Sequence, residues 1–83
     1  MSRENEAVYV ISIDNQRRLS LEDEEVSLSD LTLKLDALRE SNTDLAVIIR
    51  SDRDIPVQAV IDIMDTLKAA DITKVGIVTK PEG

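Results

Sequence analysis

The sequence predicts a small α/β domain built as a two-layer sandwich, an α+β arrangement with two helices on one face of a small mixed sheet. Some segments carry apolar residues at a spacing of two, as strands do, and others at the 3.6 spacing of helices. These segments follow the order β-β-α-β-α-β. The chain has 83 residues, which is the size of one domain. That domain is predicted over residues 7–80, between a disordered tail at 1–6 and a short tail at 81–83.

The first predicted element is a strand from Glu6 to Asp14. One of its faces carries four residues at period two, Ala7, Tyr9, Ile11 and Ile13. Val8 and Val10 lie on its other face. Residues 14–17 have the composition of a turn, and residues 18–21 form a short return strand, so a hairpin is expected.

The next segment is acidic and leads into the first helix. Residues 22–25 are all Glu or Asp, and a solvated loop is predicted there. Ser27 is the predicted N-cap, because Asp30 follows three residues later in a variant of the capping box. Four leucines then share one helical face, Leu28, Leu31, Leu35 and Leu38. The helix is expected to end near Glu40, where the polar stretch 41–44 begins.

The second half of the chain predicts a strand, a helix and a strand. Residues 45–50 are apolar on both faces at first, which is typical of a central strand. The helix presents five apolar residues on one stripe, Val57, Val60, Ile61, Met64 and Leu67, and Pro56 suits its first turn. Residues 74–80 form the last strand. The two strands flanking this helix should be parallel and joined by a right-handed crossover.

The stretch RSDRDIP, residues 50–56, could be an active site or a joint between two elements. Asp52 and Asp54 follow a strand, where paired carboxylates can hold Mg²⁺. Phosphoryl chemistry also needs a loop that cradles phosphate, but the chain has only two glycines, at positions 76 and 83. We therefore interpret this stretch as a strand-to-helix joint in which Asp54 caps the helix. A magnesium-dependent enzyme is the less favoured alternative.

Composition excludes several classes of function. The net charge of −7 repels nucleic acid and anionic lipid, and the lone aromatic residue, Tyr9, offers no stacking platform. The chain has no His and no Cys, so catalytic triads and thiolate chemistry are ruled out. We predict no catalytic residue, no metal and no cofactor, and hence no enzyme.

The predicted helices would cover only one face of the sheet. The candidate dimer or partner surface consists of Val8, Tyr9, Val10, Ile48, Ile77 and Val78. These aliphatic residues could be scattered over an ordinary surface, or their face or its edge could meet another chain. An exposed sheet edge, at Val8–Val10 or at the last strand, could bind an extended peptide as an added strand.

The second half of the chain, DRDIPVQAVIDIMDTLKAADITKVGIVTKP, resembles the C-terminal part of the ExbD/TolR biopolymer-transport proteins. The matching positions are Asp52 after a strand, the run 64–67 (Met-Asp-Thr-Leu) in a helix, and the strand 74–78 (Lys-Val-Gly-Ile-Val). The first half matches the hairpin and first helix of that family in outline. Two positions depart from it, because members often have an aromatic residue in place of Val57 and usually Gly in place of Asp71.

The resemblance implies the periplasmic dimerisation and partner-coupling domain of an energy transducer that uses the proton motive force to act on the outer membrane. The implied partners are a second copy of the chain, an ExbB/TolQ-like channel subunit reached through an inner-membrane helix absent from this chain, and a TonB/TolA-like periplasmic protein. Peptidoglycan is a further candidate. The family's proton-carrying Asp lies in the membrane helix, so Asp52 should not have that role.

Two questions stay open at this point. The sequence does not distinguish a system for nutrient import from one for envelope maintenance. The alternative function is a stand-alone regulatory domain that binds a small ligand between the strands of a dimer.

Overall fold

The structure, a computed structural model, describes residues 6–41 and 44–79. The predicted tails lie outside the described residues, except for Glu6, with which the first strand begins. The elements in chain order are β1 (Glu6–Ile13), β2 (Leu19–Leu21), β3 (Glu24–Val26), α1 (Leu28–Ser41), β4 (Asp44–Ser51), α2 (Val57–Ala69) and β5 (Lys74–Thr79).

The five strands form one mixed sheet in the order β3-β2-β1-β4-β5. The pairs β1–β2 and β2–β3 are antiparallel, whereas β1–β4 and β4–β5 are parallel. Parallel neighbours need a crossover connection, and α1 and α2 lie in those connections. The predicted α+β fold and element order are confirmed, and the structure adds one short strand, β3.

β3 corrects the prediction of a loop at residues 22–25. Glu22 and Asp23 form a two-residue turn with φ of 51° and 73°, and the chain then returns as β3. Positive φ at both positions is the geometry of a type I′ hairpin turn, which Asn-Gly usually marks. Because Glu-Asp stands here instead, the sequence carries no such marker. The four acidic side chains are nevertheless exposed, as expected.

The core lies between the helices and one face of the sheet. The buried strand residues on that face include Ile11, Ile13, Leu45, Val47 and Ile49. The helices contribute Leu31, Leu35, Ala59, Ile63 and Leu67 to the same cluster. Successive strand residues point to opposite faces, so both helices cover this one face and leave the other uncovered.

The two helices begin differently. The Oγ of Ser27 accepts a hydrogen bond from the N–H of Asp30 at 3.1 Å, which is the N-cap bond of α1. The N-cap of α2 is Pro56, which is extended at φ −61° and ψ 138°, and no side chain caps this end. The prediction that Asp54 caps α2 is therefore wrong. Asp54 is exposed in the turn two residues earlier, because the backbone runs extended through Pro56 before the helix starts.

Asp71 ends α2 in the left-handed conformation, with φ of 65°. Its N–H donates to the carbonyl of Lys68 at 2.9 Å, and the N–H of Ile72 donates to the carbonyl of Leu67 at 3.0 Å. This pair of bonds is the Schellman motif, in which Gly is the usual residue at the left-handed position. Ile72 is buried, so the turn places it in the core directly before β5.

This geometry predicts that Asp71→Gly is more stable than Asp71→Ala by about 1 kcal/mol, because only Gly adopts positive φ without a steric penalty. Both variants lose the ion pair in which Arg39 Nη2 lies 3.6 Å from Asp71 Oδ2, so the comparison isolates the backbone. Urea unfolding followed by circular dichroism would measure the difference. Equal stability of the two variants would show that Asp71 is not held in a strained conformation.

Candidate interaction surface

Asp52 fastens the strand-to-helix joint to the neighbouring hairpin. Its N–H donates to the carbonyl of Ile13 at 3.3 Å, and its Oδ2 accepts the N–H of Asn15 at 3.2 Å. The end of β4 is thereby tied to the β1–β2 turn. Within residues 6–41 and 44–79, no three acidic side chains come together as a group that could hold a metal ion. In the structure the contacts of Asp52 hold the segment between β4 and α2 against the β1–β2 turn.

Asp14 organises the adjacent turn. One carboxylate oxygen accepts the N–H of Arg18 and of Gln16, each at 2.9 Å. These bonds, above all the one from the Arg18 backbone, hold the pKa of Asp14 below its usual value. A lowered folded-state pKa stabilises the fold above the unfolded pKa, and this contribution is lost as pH falls through the folded value.

The sheet face away from the helices is uncovered, and we call it the open face. Its register places Val10 beside Ile48, Ile48 beside Gly76, and Val8 beside Ala46. Val8 is 54% exposed and Val78 is 49% exposed. The open face thus brings together Val8, Val10, Ile48 and Val78 from the predicted surface. Aliphatic residues on three adjacent strands form one apolar patch.

The other two predicted surface residues lie on the helical face. Tyr9 pairs in register with the buried Val47, and Ile77 pairs with the buried Ile49. Tyr9 and Ile77 therefore lie on the face opposite Val8 and Val78, because neighbours along a strand point to opposite faces. Their part in a dimer or partner surface stays a prediction. Tyr9 is half-buried beside α1, where it lines a groove of about 310 Å³ together with Leu38.

Ile77 is 51% exposed although it lies on the helical face. β5 is the last strand of the sheet on its side. Five of the six residues of β5 are exposed. Among the described residues, no strand pairs with the outer edge of β5, so its outward backbone groups are available to an added strand.

Gly76 makes this edge easy to approach. A Cβ atom added at Gly76 would meet nothing within 4 Å, so the space above the middle of β5 is open. The open face and the free edge of β5 are continuous, since Gly76 and Val78 belong to both. Together they form a surface that could receive an extended segment or a second sheet.

A comparison with known families identifies the chain. The family model described as biopolymer transport protein ExbD/TolR matches residues 2–82, which is nearly the whole chain. The chain belongs to the ExbD/TolR family. No curated protein matches it. Family membership supports a role in biopolymer transport and does not favour the stand-alone regulatory domain.

This ExbD/TolR domain has a second, shorter free edge, on β1. β2 pairs with β1 only from Ile11 to Ile13. At the next position, the N–H of Val10 donates to a carboxylate oxygen of Glu22 at 2.7 Å, and the N–H of Glu22 donates to the carbonyl of Val10 at 3.0 Å. Glu22 thus makes the last contact between β1 and the segment that follows β2. In the part of the chain that the structure describes, no strand pairs with β1 beyond this contact on the β2 side. No pattern in the sequence indicates this role, since Glu22 stands among three other acids.

The helices of the ExbD/TolR domain belong to its core layer. No helix within the described ranges is both long enough and apolar enough to cross a membrane.

Proposed function

We propose that this chain is the periplasmic dimerisation and partner-coupling domain of an ExbD/TolR energy transducer driven by the proton motive force. The observation that carries the proposal is the uncovered apolar face of the sheet, continuous with the free edge of β5. Family membership over residues 2–82 supplies the transport role. The domain transmits motion to the outer membrane through a partner and catalyses no reaction.

The free edge of β5 suits a partner that arrives as an extended segment. A strand added to a sheet edge gains affinity from main-chain hydrogen bonds and specificity from alternate side chains. β5 offers six residues for such pairing. The partner in this proposal is a TonB/TolA-like periplasmic protein, which has to reach across the periplasm from the inner membrane.

The open face suits a second copy of the chain. Val8, Val10, Ile48 and Val78 give it an aliphatic surface that one layer of helices leaves bare. A two-fold dimer uses the same patch on both copies, so one apolar patch is sufficient. Elsewhere in the transducer, a membrane helix would connect the domain to an ExbB/TolQ-like channel subunit, and peptidoglycan is a further candidate ligand of the dimer.

The proposal is tested by an amide NMR titration of this domain with a peptide from a TonB/TolA-like periplasmic linker. We expect shifts that run along one edge strand, with the largest changes within Lys74–Thr79 on β5. The matched control is the same peptide N-methylated at alternate residues, which keeps the side chains but cannot form strand hydrogen bonds. A silent spectrum at millimolar peptide, or equal binding of both peptides, would refute coupling by strand addition.

A further inference from the structure

The short free edge of β1 carries backbone groups that point away from β4. Val10 donates its N–H to the carboxylate of Glu22 at 2.7 Å, and its C=O accepts the N–H of Glu22 at 3.0 Å. Because alternate residues of a strand direct these groups to the same side, Val8 directs its own N–H and C=O toward the β2 side as well. Within residues 6–41 and 44–79, neither group has a partner there. An extended segment can therefore continue the line of β2 along β1 by pairing with Val8.

A groove lies beside this edge, on the side of the sheet that the helices cover. We call it the Tyr9 groove. Its volume is about 310 Å³, and its apolar wall consists of Tyr9 and Leu21 from the sheet and Ala37 and Leu38 from α1. Successive side chains of an added strand alternate between the two faces, so every second one would face this groove. The volume corresponds to about ten waters at ~30 Å³ each, which is enough for one large apolar side chain.

The rim of the Tyr9 groove is acidic. Glu22 and Glu24 line it, and Asp23 is exposed in the turn that joins them. The one cation in the lining is Lys34, whose Nζ lies 3.7 Å from Oε1 of Glu24, so the acids outnumber the bases. The net charge of the whole chain is −7, which has the same sign as the rim. Both attract a cationic segment and repel an acidic one.

We propose that the free edge of β1 and the Tyr9 groove together bind an extended, basic segment of a partner protein, which inserts one large apolar side chain into the groove. The unpaired backbone of Val8 selects an extended chain, and the groove selects the apolar residue. The acidic rim selects Lys or Arg two positions away from it, because residues two apart on a strand share a face. This site goes beyond the proposed function and is separate from the edge of β5, since β4 lies between β1 and β5.

The probe is the capped pentapeptide acetyl-Lys-Thr-Phe-Thr-Lys-amide, titrated into the ¹⁵N-labelled chain at low ionic strength. We expect saturable shifts of the Val8, Tyr9 and Glu22 amides, with a Kd on the order of 1 mM. Two matched peptides carry Ala in place of Phe, or Glu in place of both Lys. Each should bind about 5-fold more weakly or worse, because the first leaves the groove empty and the second brings like charges to the rim.

Ala37→Leu tests the groove from the side of the protein. Ala37 is exposed on α1 and lines the groove, so the larger side chain would occupy the space without disturbing the core. This variant should bind the Lys peptide about 5-fold more weakly or worse. The control is Ala69→Leu, the same substitution at an exposed position of α2 outside the groove, which should bind like wild type.

A pair of substitutions tests the rim. Asp23→Asn combined with Glu24→Gln removes two negative charges, and Asn tolerates the left-handed backbone at position 23, where φ is 73°. Its matched control is Asp54→Asn combined with Asp65→Asn, which removes the same charge from exposed positions elsewhere. The rim pair should weaken binding of the Lys peptide about 5-fold, and the control pair should weaken it less than about 2-fold.

Three results would overturn the inference. Absence of saturable shifts at millimolar peptide would show that this edge binds no extended basic segment. Shifts confined to Lys74–Thr79 would place the peptide on β5 instead of β1. Equal affinity of the Lys and Glu peptides, or of Ala37→Leu and wild type, would show that the rim or the groove takes no part. The proposed function depends on the linker titration, so either proposal can fail without the other.

Discussion

Ile63→Ala is expected to lower the free energy of unfolding by about 3 kcal/mol, within the range of 2–5 kcal/mol seen for large-to-small changes in cores. Ile63 lies in the middle of α2 and is 1% exposed. Its side chain packs in the cluster that joins both helices to the sheet. Removing its outer carbons leaves a cavity that the surrounding aliphatic side chains cannot fill without moving the backbone.

The effect is large because the core is thin. A domain of 83 residues has a stability near the lower end of the usual range of about 5–15 kcal/mol. The single aromatic residue, Tyr9, is only half-buried, so Leu, Ile and Val supply nearly all of the buried volume. No disulfide can compensate, since the chain contains no Cys. Loss of one central isoleucine therefore removes a large fraction of the total stability.

Ile61→Ala is the matched control for this prediction. It removes the same atoms from the same helix, but Ile61 is 42% exposed. Its cost should be below about 1 kcal/mol, since little buried area is lost and Ala favours the helix. Urea unfolding of both variants gives the comparison. Equal destabilisation would mean that α2 is rotated relative to the sheet and that the core is not the one described.

The alternation of apolar residues was sufficient to predict the fold. The face carrying Ile11 and Ile13 and the leucine stripe of α1 follow from periods of two and 3.6, because those periods are set by backbone geometry alone. The turn at Glu22–Asp23 could not be predicted in this way. Its left-handed backbone is imposed by the pairing of β3 with β2, and no Gly or Asn marks it.

The candidate surface was only partly predictable, for a related reason. The period of two along β1 is sufficient to place Tyr9 on the face opposite Val8 and Val10. Val10 and Ile48, by contrast, are distant in the chain and adjacent in the sheet. Their relation depends on the register between β1 and β4, and no local pattern encodes that register.

Val10→Lys is expected to weaken self-association at least 10-fold, which corresponds to about 1.4 kcal/mol. Val10 is half-buried on the open face. It lies beside Ile48 of β4 and two residues after Val8 on the same face of β1. In a dimer that packs these faces together, the substitution places a charge from each copy in an apolar interface. The fold should be kept, because Val10 lies outside the core cluster and its backbone bonds to Glu22 are unaffected.

Val57→Lys is the control for the dimer prediction, since Val57 is 72% exposed at the start of α2, in the layer of helices. Sedimentation velocity over a range of concentrations measures the dimer, and circular dichroism checks the fold. A Val10→Lys chain that dimerises like wild type would show that the open face is not the interface. Self-association would then have to use another surface, and the free edge of β5, which is longer than that of β1, is the first alternative. In that case a second copy and the linker peptide would compete for β5, so peptide binding should dissociate the dimer, whereas a dimer through the open face should bind peptide without dissociating.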